Sequence, residues 1–180
     1  KLPPDYGEDD LKEAALGRLK LRRGRVHIVA KNLDARSRRN IHWLLRLQVV
    51  SPELPGPDPE APPELSVPFR KREERVLVVG SGPAGFFAAF LLQQAGFQGT
   101  LVERGADVAS RSRRITAFET TGRFDPLGTY AFGEGGAGTF SDGKLTARSR
   151  RISRERRYVL ARYREAGAPE EIEYLAHPHL

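Results

Sequence analysis

Three glycines in the stretch GSGPAG have the spacing from which a phosphate-binding turn is built. They are Gly80, Gly82 and Gly85, and they follow the apolar run RVLVV, which is typical of a short buried strand. Gly80 would permit a tight turn, Gly82 would leave room for a pyrophosphate, and Gly85 would let the next helix pack closely on the strand. The pattern predicts that free amides at the start of that helix meet phosphate oxygens.

A carboxylate follows at the end of the next apolar strand. The segment GTLVE predicts a second strand with Glu103 at its carboxyl end, after a nearly all-apolar helix over Ala84–Ala95 that should be covered on most sides. In a β-α-β unit this position reaches the ribose hydroxyls of an adenine dinucleotide, and its charge would repel the 2′-phosphate of NADP. Strand, helix, strand and acid together predict dinucleotide binding, and FAD and NAD are both open at this point.

Arg111 lies a few residues further on, in ERGADVASRSRR, and admits two interpretations. Flavoproteins of the glutathione-reductase-like type often continue from the ribose acid through a short turn into a segment that carries an arginine. Arg111 would then meet the pyrophosphate. The alternative is that it belongs to a solvated helix face.

A second glycine-rich loop, FGEGGAGTFSDGKL at 132–145, favours FAD. Two phenylalanines bracket it and charged residues interrupt it, so it is not a flexible linker. Close approach of the backbone to a large flat ligand explains it better. Ser141, Asp142 and Lys144 would either touch the flavin or simply form a turn, and the sequence leaves both open.

These residues resemble a known family, the uncharacterised bacterial FAD-dependent dehydrogenases, also called NAD(FAD)-utilizing dehydrogenases. The resemblance rests on VLVVGSGPAG, ERGADVASR, FGEGGAGTFSDGKLTAR and EAGAPEEIEYLAHPH. The leading KLPPDYGEDDLKEA and NLDAR are similar to that family's small first domain. Its members continue for several hundred further residues, with a later flavin motif and a substrate-facing region.

The resemblance implies an FAD-dependent oxidoreductase, a flavoprotein of the dehydrogenase type, of which this chain is the amino-terminal fragment. Catalytic residues are expected beyond Leu180, NAD(P)H is a candidate electron donor, and the substrate and oligomeric state are not readable. The turn glycines and Glu103 would bind the ADP half of FAD, and the 133–143 loop would lie near the pyrophosphate and flavin. The candidate cofactor-binding residues are Gly80, Gly82, Pro83, Ala84, Gly85, Glu103, Arg104, Arg111, Gly135, Gly136, Gly138, Thr139, Ser141 and Lys144.

The predicted fold class is α/β: an incomplete Rossmann-like FAD/NAD(P)-binding β-α-β domain preceded by a small α+β domain. Residues 1–50 form the small domain, a helix over EDDLKEAALGRL followed by a hairpin of RVHIVAK and IHWLLRLQVV joined through NLDARSRRN. Residues 51–74 hold seven of the 13 prolines and form a linker or a strap along a surface. Residues 75–180 form the FAD-binding domain, truncated at its carboxyl end, with further helices over Ser153–Ala166 and APEEIEYLA.

Composition restricts the partners. The chain has no cysteine, so disulfides and thiol catalysis are excluded. No apolar run is long enough for a membrane span, and we expect a cytoplasmic protein. The H-x-H pair His177 and His179 lacks suitably spaced carboxylates, and we predict no metal site. A net charge of +7 with basic clusters at 18–25, 36–39, 111–114 and 148–157 leaves one alternative, a non-catalytic dinucleotide-binding or RNA-associated module. Because the clusters are scattered and poor in aromatics, nucleic acid is not the expected partner.

Overall fold

The computed structural model describes residues 1–58, 63–145 and 153–178. They divide into two compact units, the first formed by Lys1–Glu64 with Leu145–Leu180 and the second by Leu65–Lys144. In chain order the elements are α1 (Glu8–Leu19), β1 (Arg25–Asp34), β2 (His42–Val50), β3 (Arg75–Val79), α2 (Pro83–Gln94), β4 (Gln98–Val102), α3 (Val108–Thr121), a 3-10 turn (Ala137–Phe140), α4 (Ser153–Glu165) and a second 3-10 turn (Glu170–Glu173).

The first unit begins with the predicted helix and hairpin. Helix α1 carries acidic residues in its first turn, where they favour the positive helix end, and it buries Leu11, Ala15 and Leu16. Strands β1 and β2 pair antiparallel, with an irregularity between Ile28 and Ala30. The result is a small α+β module of the kind predicted for the first fifty residues.

The hairpin loop is shorter than NLDARSRRN, because β1 runs on to Asp34. The Asp34 carboxylate accepts from Nε of Arg36 at 2.9 Å and from its Nη2 at 2.6 Å. Asp34 also pairs in register with His42 across the ladder. The buried Asp34 carboxylate is paired with the Arg36 guanidinium, so strand β1 can extend to Asp34, a polar residue that the sequence predicted to lie in the loop.

Residues after 153 belong to the first unit, which differs from the predicted 75–180 domain. The backbone of Lys31 on β1 explains this, since its amide donates to the Tyr174 carbonyl at 2.8 Å and its carbonyl accepts from the Ala176 amide at 2.9 Å. Ile172 is only 1% exposed. The segment APEEIEYLA forms a short 3-10 turn rather than the predicted helix, because it leaves helical geometry to pair with β1.

The second unit contains the predicted β-α-β order. Strands β3 and β4 are parallel, in register from Arg75 opposite Gln98 to Val79 opposite Val102, and α2 connects them. The end of the proline-rich segment lies along this unit as a strap, since the amides of Arg70 and Arg72 donate to the carbonyls of Ala95 and Gly96 at 3.2 and 2.9 Å. Strap and helix line an open apolar groove of about 350 Å³.

The apolar surfaces of this unit are only partly covered. Leu77 and Val79, two residues apart on β3, are 63% and 77% exposed, and Phe86 on α2 is 51% exposed. None of the residues of α2 is buried, so the expectation of a helix covered on most sides is not met. The reason is that two strands cover one side of a helix only, whereas parallel sheets normally have both faces covered.

Some classes of site are absent from the described parts of the chain. No helix within 1–58, 63–145 or 153–178 has the length and apolar character needed to cross a membrane. Those residues also contain no cluster of three or more His, Cys, Asp or Glu side chains placed to hold a metal ion. His179 of the H-x-H pair and residues 148–152 of the last basic cluster lie outside the described residues.

The assignment of α4 to the first unit can be tested with Leu160, which is 5% exposed. We expect Leu160→Ala to lower the free energy of unfolding by about 2–5 kcal/mol, because it removes buried methyl groups and leaves a cavity. The measurement is urea unfolding followed by the fluorescence of Trp43, the single tryptophan, which lies on β2. The matched control is Leu19→Ala, since Leu19 is 48% exposed and its truncation should cost well under about 1 kcal/mol. An unchanged Trp43 transition in Leu160→Ala would contradict a shared folding unit.

Candidate functional site

The turn between β3 and α2 has the geometry expected of its glycines. Gly80 has φ 94°, a left-handed conformation that favours glycine, and its amide donates to the Val102 carbonyl at 2.7 Å. A methyl group at Gly85 would overlap the carbonyl oxygen of Gly80. The tight turn at Gly80 and the close packing permitted by Gly85 are therefore both present.

The N-terminus of α2 is open to an anion. Gly82 is its N-cap residue, Pro83 occupies the first helical position, and the first turn contains no acidic side chain and no side-chain cap. The amides of Ala84 and Gly85 have no acceptor within the helix, since the first-turn amides of any helix lack one, and they carry the positive end of the helix dipole. A methyl group at Gly82 would find its nearest neighbour at 3.9 Å, the Gly136 Cα, so packing within the described residues does not require a glycine here.

Helix α3, which follows β4, is different because two carboxylates already cap it. Asp107 Oδ1 accepts from the Ser110 amide at 2.9 Å, and Glu134 Oε2 accepts from the Val108 amide at 2.8 Å. These charges lie where the helix dipole favours them. Of the two helices that start after the parallel strands, only α2 has no carboxylate cap at its N-terminus.

Glu103 lies directly after β4, and its carboxylate is held by the turn. Oε2 accepts from the amide and the hydroxyl of Ser81 at 2.7 and 2.9 Å, and Oε1 accepts from the Gly105 amide at 2.8 Å. The hydrogen bonds from the Ser81 and Gly105 amides lower the pKa of Glu103 from 4.5 to about 2, so it is ionised at neutral pH.

The number of acceptor positions on Glu103 matters for the predicted ribose contact. An ionised carboxylate offers about four lone pairs, and the turn uses three of them. The Arg104 amide also stabilises the carboxylate and lowers its pKa. A ribose hydroxyl would therefore gain an acceptor position where the Ser81 hydroxyl turns away from Oε2. Sequence reasoning missed Ser81, whose only signal was its place between the first two glycines of the motif.

The second glycine-rich loop packs directly on the β3–α2 turn. The Gly135 amide donates to the Ser81 carbonyl at 3.1 Å, and the Glu134 amide donates to the Ala106 carbonyl at 3.0 Å. Gly136 has φ 74°, and a methyl group there would lie 3.0 Å from the Gly82 Cα. The structure thus places Gly135 and Gly136 in contact with the glycine turn between β3 and α2, which is distant from them in sequence.

Arg111 holds this loop in place. Its side chain is completely buried, and Nη1 and Nη2 donate to the carbonyls of Glu134 and Tyr130, the latter at 3.1 Å. The guanidinium lies 4.9 Å from the centre of the Phe140 ring. Burial lowers the pKa of Arg111, and the charges of Glu103 and Glu134 act in the opposite direction.

The interpretation of Arg111 as part of a solvated helix face is therefore wrong. Its contact with a pyrophosphate stays a prediction, because the structure assigns two of its donor groups to loop carbonyls. Nε is buried without a hydrogen-bond partner among the described residues, so it is the guanidinium nitrogen that the loop carbonyls leave unpaired.

The other predicted residues form hydrogen bonds within the second glycine-rich loop or are exposed beside it. Thr139 and Ser141 donate within the loop, to the carbonyls of Glu134 at 3.3 Å and Gly138 at 2.8 Å. Lys144 is exposed, and its amide donates to Asp142 at 3.3 Å. Arg104 is exposed, and its guanidinium lies 4.0 Å from the centre of the Phe132 ring. The structure therefore gives Ser141 a turn-forming contact, and a flavin contact by these residues stays a prediction.

The role of Arg111 can be tested with Arg111→Met, which keeps much of the side-chain length and removes the charge. Two loop carbonyls then lose hydrogen bonds from a charged donor, each worth about 1.5–3 kcal/mol, so the loop should detach. Hydrogen exchange of the amides of Glu134 and Gly135 should rise at least tenfold. Arg113→Met, on the exposed face of the same helix, is the matched control and should leave that exchange unchanged. Equal exchange in the two variants would contradict the proposed role of the buried guanidinium.

The pKa of Glu103 predicts a pH dependence of stability. A carboxyl whose folded pKa is depressed stabilises the fold above its ordinary pKa and loses that contribution as the pH falls towards the folded value. We expect the free energy of unfolding of the parent to exceed that of Glu103→Gln at neutral pH, and the difference to shrink between pH 4.5 and about 2. Chemical denaturation of both proteins at several pH values measures this. A difference that is constant over the range would contradict the carboxylate as the acceptor of these hydrogen bonds.

Comparison with known proteins supports a flavin-binding role for this part of the chain. Residues 73–128 match the family model of the FAD binding domain, and this range includes β3, α2, β4 and α3. An uncharacterized protein of Clostridium beijerinckii is 45% identical over 108 residues, which is 59% of this chain and 20% of that protein. The chain thus spans about a fifth of the length of the relative that it matches.

The family match and the geometry agree on the same residues. The glycine turn, the uncapped start of α2 and Glu103 all lie within 73–128. The match supports FAD binding by a flavoprotein of the oxidoreductase type, and the mixed α/β structure is consistent with a dinucleotide-binding fold.

Proposed function

We propose that the second unit binds the ADP half of FAD within a dehydrogenase-like FAD-dependent oxidoreductase. The observation that carries the proposal is the uncapped N-terminus of α2 beside an ionised carboxylate at the end of β4, in a region that matches the FAD binding domain. The amides of Ala84 and Gly85 would receive the pyrophosphate, and Glu103 would receive the ribose hydroxyls.

The residues present fit this half of the cofactor. Gly82 carries no side chain and an added methyl group would meet no close neighbour, so phosphate oxygens could approach the backbone closely at this residue. Glu103 would offer an acceptor position to a ribose hydroxyl once the Ser81 hydroxyl turns away from Oε2. Helix α3 would take no part in phosphate binding, because Asp107 and Glu134 occupy its N-terminus.

The charge of Glu103 favours FAD or NAD over NADP at this site. Since its pKa is about 2, the carboxylate is fully ionised at neutral pH and would repel a 2′-phosphate on the adenine ribose. The match to the FAD binding domain supports FAD over NAD here. NAD(P)H would then act as electron donor from a different site.

The oxidoreductase activity is proposed for a longer polypeptide than the one described. Bound FAD supplies electron-transfer chemistry, and the protein orients it and controls access of water. The exposed apolar residues Leu77, Val79 and Phe86 support this proposal, because further structure in a longer polypeptide would cover them. A relative about five times as long as the matched region is consistent with such structure, and with a flavin ring and catalytic residues placed there.

Glu103→Ala tests the proposal. Loss of charge-assisted hydrogen bonds worth about 1.5–3 kcal/mol should weaken FAD binding about ten- to a hundredfold. Titration calorimetry with FAD and with ADP measures this, and both ligands should lose the same factor because the change concerns their shared half. Glu73→Ala, at an exposed position just before β3, is the control and should bind as the parent does.

Two results would overturn the proposal. One is a parent protein that binds neither FAD nor ADP, and the other is a Glu103→Ala variant with the affinity of the parent. Ser81→Ala refines the site, because it removes one hydrogen bond to Oε2 and frees an acceptor position for ribose. We expect this variant to retain FAD binding.

A further inference from the structure

Donors of the protein itself occupy the Glu103 carboxylate. Oε2 accepts two hydrogen bonds from Ser81, one from its amide at 2.7 Å and one from its hydroxyl at 2.9 Å. Oε1 accepts from the Gly105 amide at 2.8 Å, and the Arg104 amide also stabilises the carboxylate. Because an ionised carboxylate offers about four lone pairs, these donors account for its acceptor positions. A hydroxyl of a ligand would therefore bind Glu103 by taking the place of one of them.

Of these donors, the Ser81 hydroxyl is the one that can turn without a movement of the chain. The others are backbone amides, and the backbone of Ser81 is held from both sides. Its carbonyl accepts from the Gly135 amide at 3.1 Å, and the preceding Gly80 amide donates to the Val102 carbonyl at 2.7 Å. A serine hydroxyl, in contrast, rotates about a single bond. The Ser81 hydroxyl is therefore the donor that is exchanged most easily.

We propose that Ser81 sets the affinity of the proposed site, because its hydroxyl occupies an acceptor position of Glu103 that a ribose hydroxyl takes over on binding. The inference rests on the proposed function. In the free protein the Ser81 hydroxyl helps to satisfy the ionised carboxylate. On binding, a ribose hydroxyl donates to Oε2 in its place, while the amides of Ser81 and Gly105 keep the carboxylate in position.

The burial of Ser81 makes this exchange costly. Ser81 is only 5% exposed, so its hydroxyl meets little water when it turns away from Oε2. The ribose then gains the difference between two hydrogen bonds to the same oxygen, which is less than it would gain from a vacant acceptor position. The Ser81 hydroxyl thus weakens ribose binding, although it stabilises the carboxylate of the free protein.

Ser81→Ala is the direct test, because it vacates an acceptor position of Oε2 and keeps the two backbone contacts of the residue. We expect ADP to bind this variant about 2- to 10-fold more tightly than the parent, since one net hydrogen bond no longer has to be broken. The 2′,3′-dideoxy analogue of ADP lacks both ribose hydroxyls and should bind parent and variant equally. Titration calorimetry with the two ligands measures these affinities.

Ser110→Ala is the matched control, since the Ser110 hydroxyl accepts from the Arg113 guanidinium at 2.9 Å on helix α3. It should leave both affinities unchanged. In a Glu103→Ala background, Ser81→Ala should no longer change the affinity for ADP, because the two residues act through one contact. In the parent, the Cβ NMR signal of Ser81 should shift further with ADP than with the dideoxy analogue, which tests the exchange without a substitution.

The outcomes separate this inference from the proposed function. If the parent binds neither FAD nor ADP, both fail. If ADP binding depends on Glu103, and Ser81→Ala binds ADP as Ser110→Ala does or more weakly, the role of Ser81 is wrong and the proposed function stands. An equal gain for ADP and its dideoxy analogue in Ser81→Ala would also overturn the inference, since it would show a change in the turn rather than a vacated acceptor position.

Discussion

The buried guanidinium of Arg111 is the contact on which the candidate site depends. It brings a positive charge from α3 into the interior and uses it to hold two carbonyls of the loop that follows. A buried charge is costly unless its donors are satisfied, so these hydrogen bonds and the loop geometry require each other. The loop that Arg111 holds also contacts Ser81 and Gly82. A change in the conformation of this loop should therefore also change the conformation of the turn between β3 and α2.

Some glycines in and beside the two glycine-rich loops are required by backbone packing, and others are not. The sequence motif alone does not distinguish these two groups. Gly85, Gly105 and Gly133 are required by backbone packing, since a methyl group at each would overlap a neighbouring chain segment. Gly82 and Gly138 are different, because a methyl group would meet no close neighbour there. Packing within the described residues therefore does not explain why these two positions are glycine. In a dinucleotide site, a glycine allows the ligand to approach the backbone closely.

The parts of the structure that the sequence predicted are those set by local spacing. Helix α1, the hairpin and the β3-α2-β4 order follow from apolar periodicity, and the place of Glu103 follows from the length of β4. The buried role of Arg111, the hold of Ser81 on Glu103 and the pairing of Lys31 with Tyr174 all join segments distant in sequence. The spacing of apolar residues along the chain does not predict such contacts. A cluster of arginines predicts a solvated surface even where one of the side chains is buried, as Arg111 is.

The charges of the second unit would favour one orientation of a dinucleotide in the proposed site. The start of α2 offers positive dipole charge with no acid in its first turn, whereas the start of α3 is neutralised by Asp107 and Glu134. A ligand with both an anionic and a hydroxyl-bearing part would therefore place its phosphates at α2 and its sugar at Glu103, and the reverse placement would set phosphate against an ionised carboxylate. In the proposed site the orientation would thus be set by two charges of opposite sign at the ends of adjacent parallel strands, before any contact with a base or a flavin ring is made.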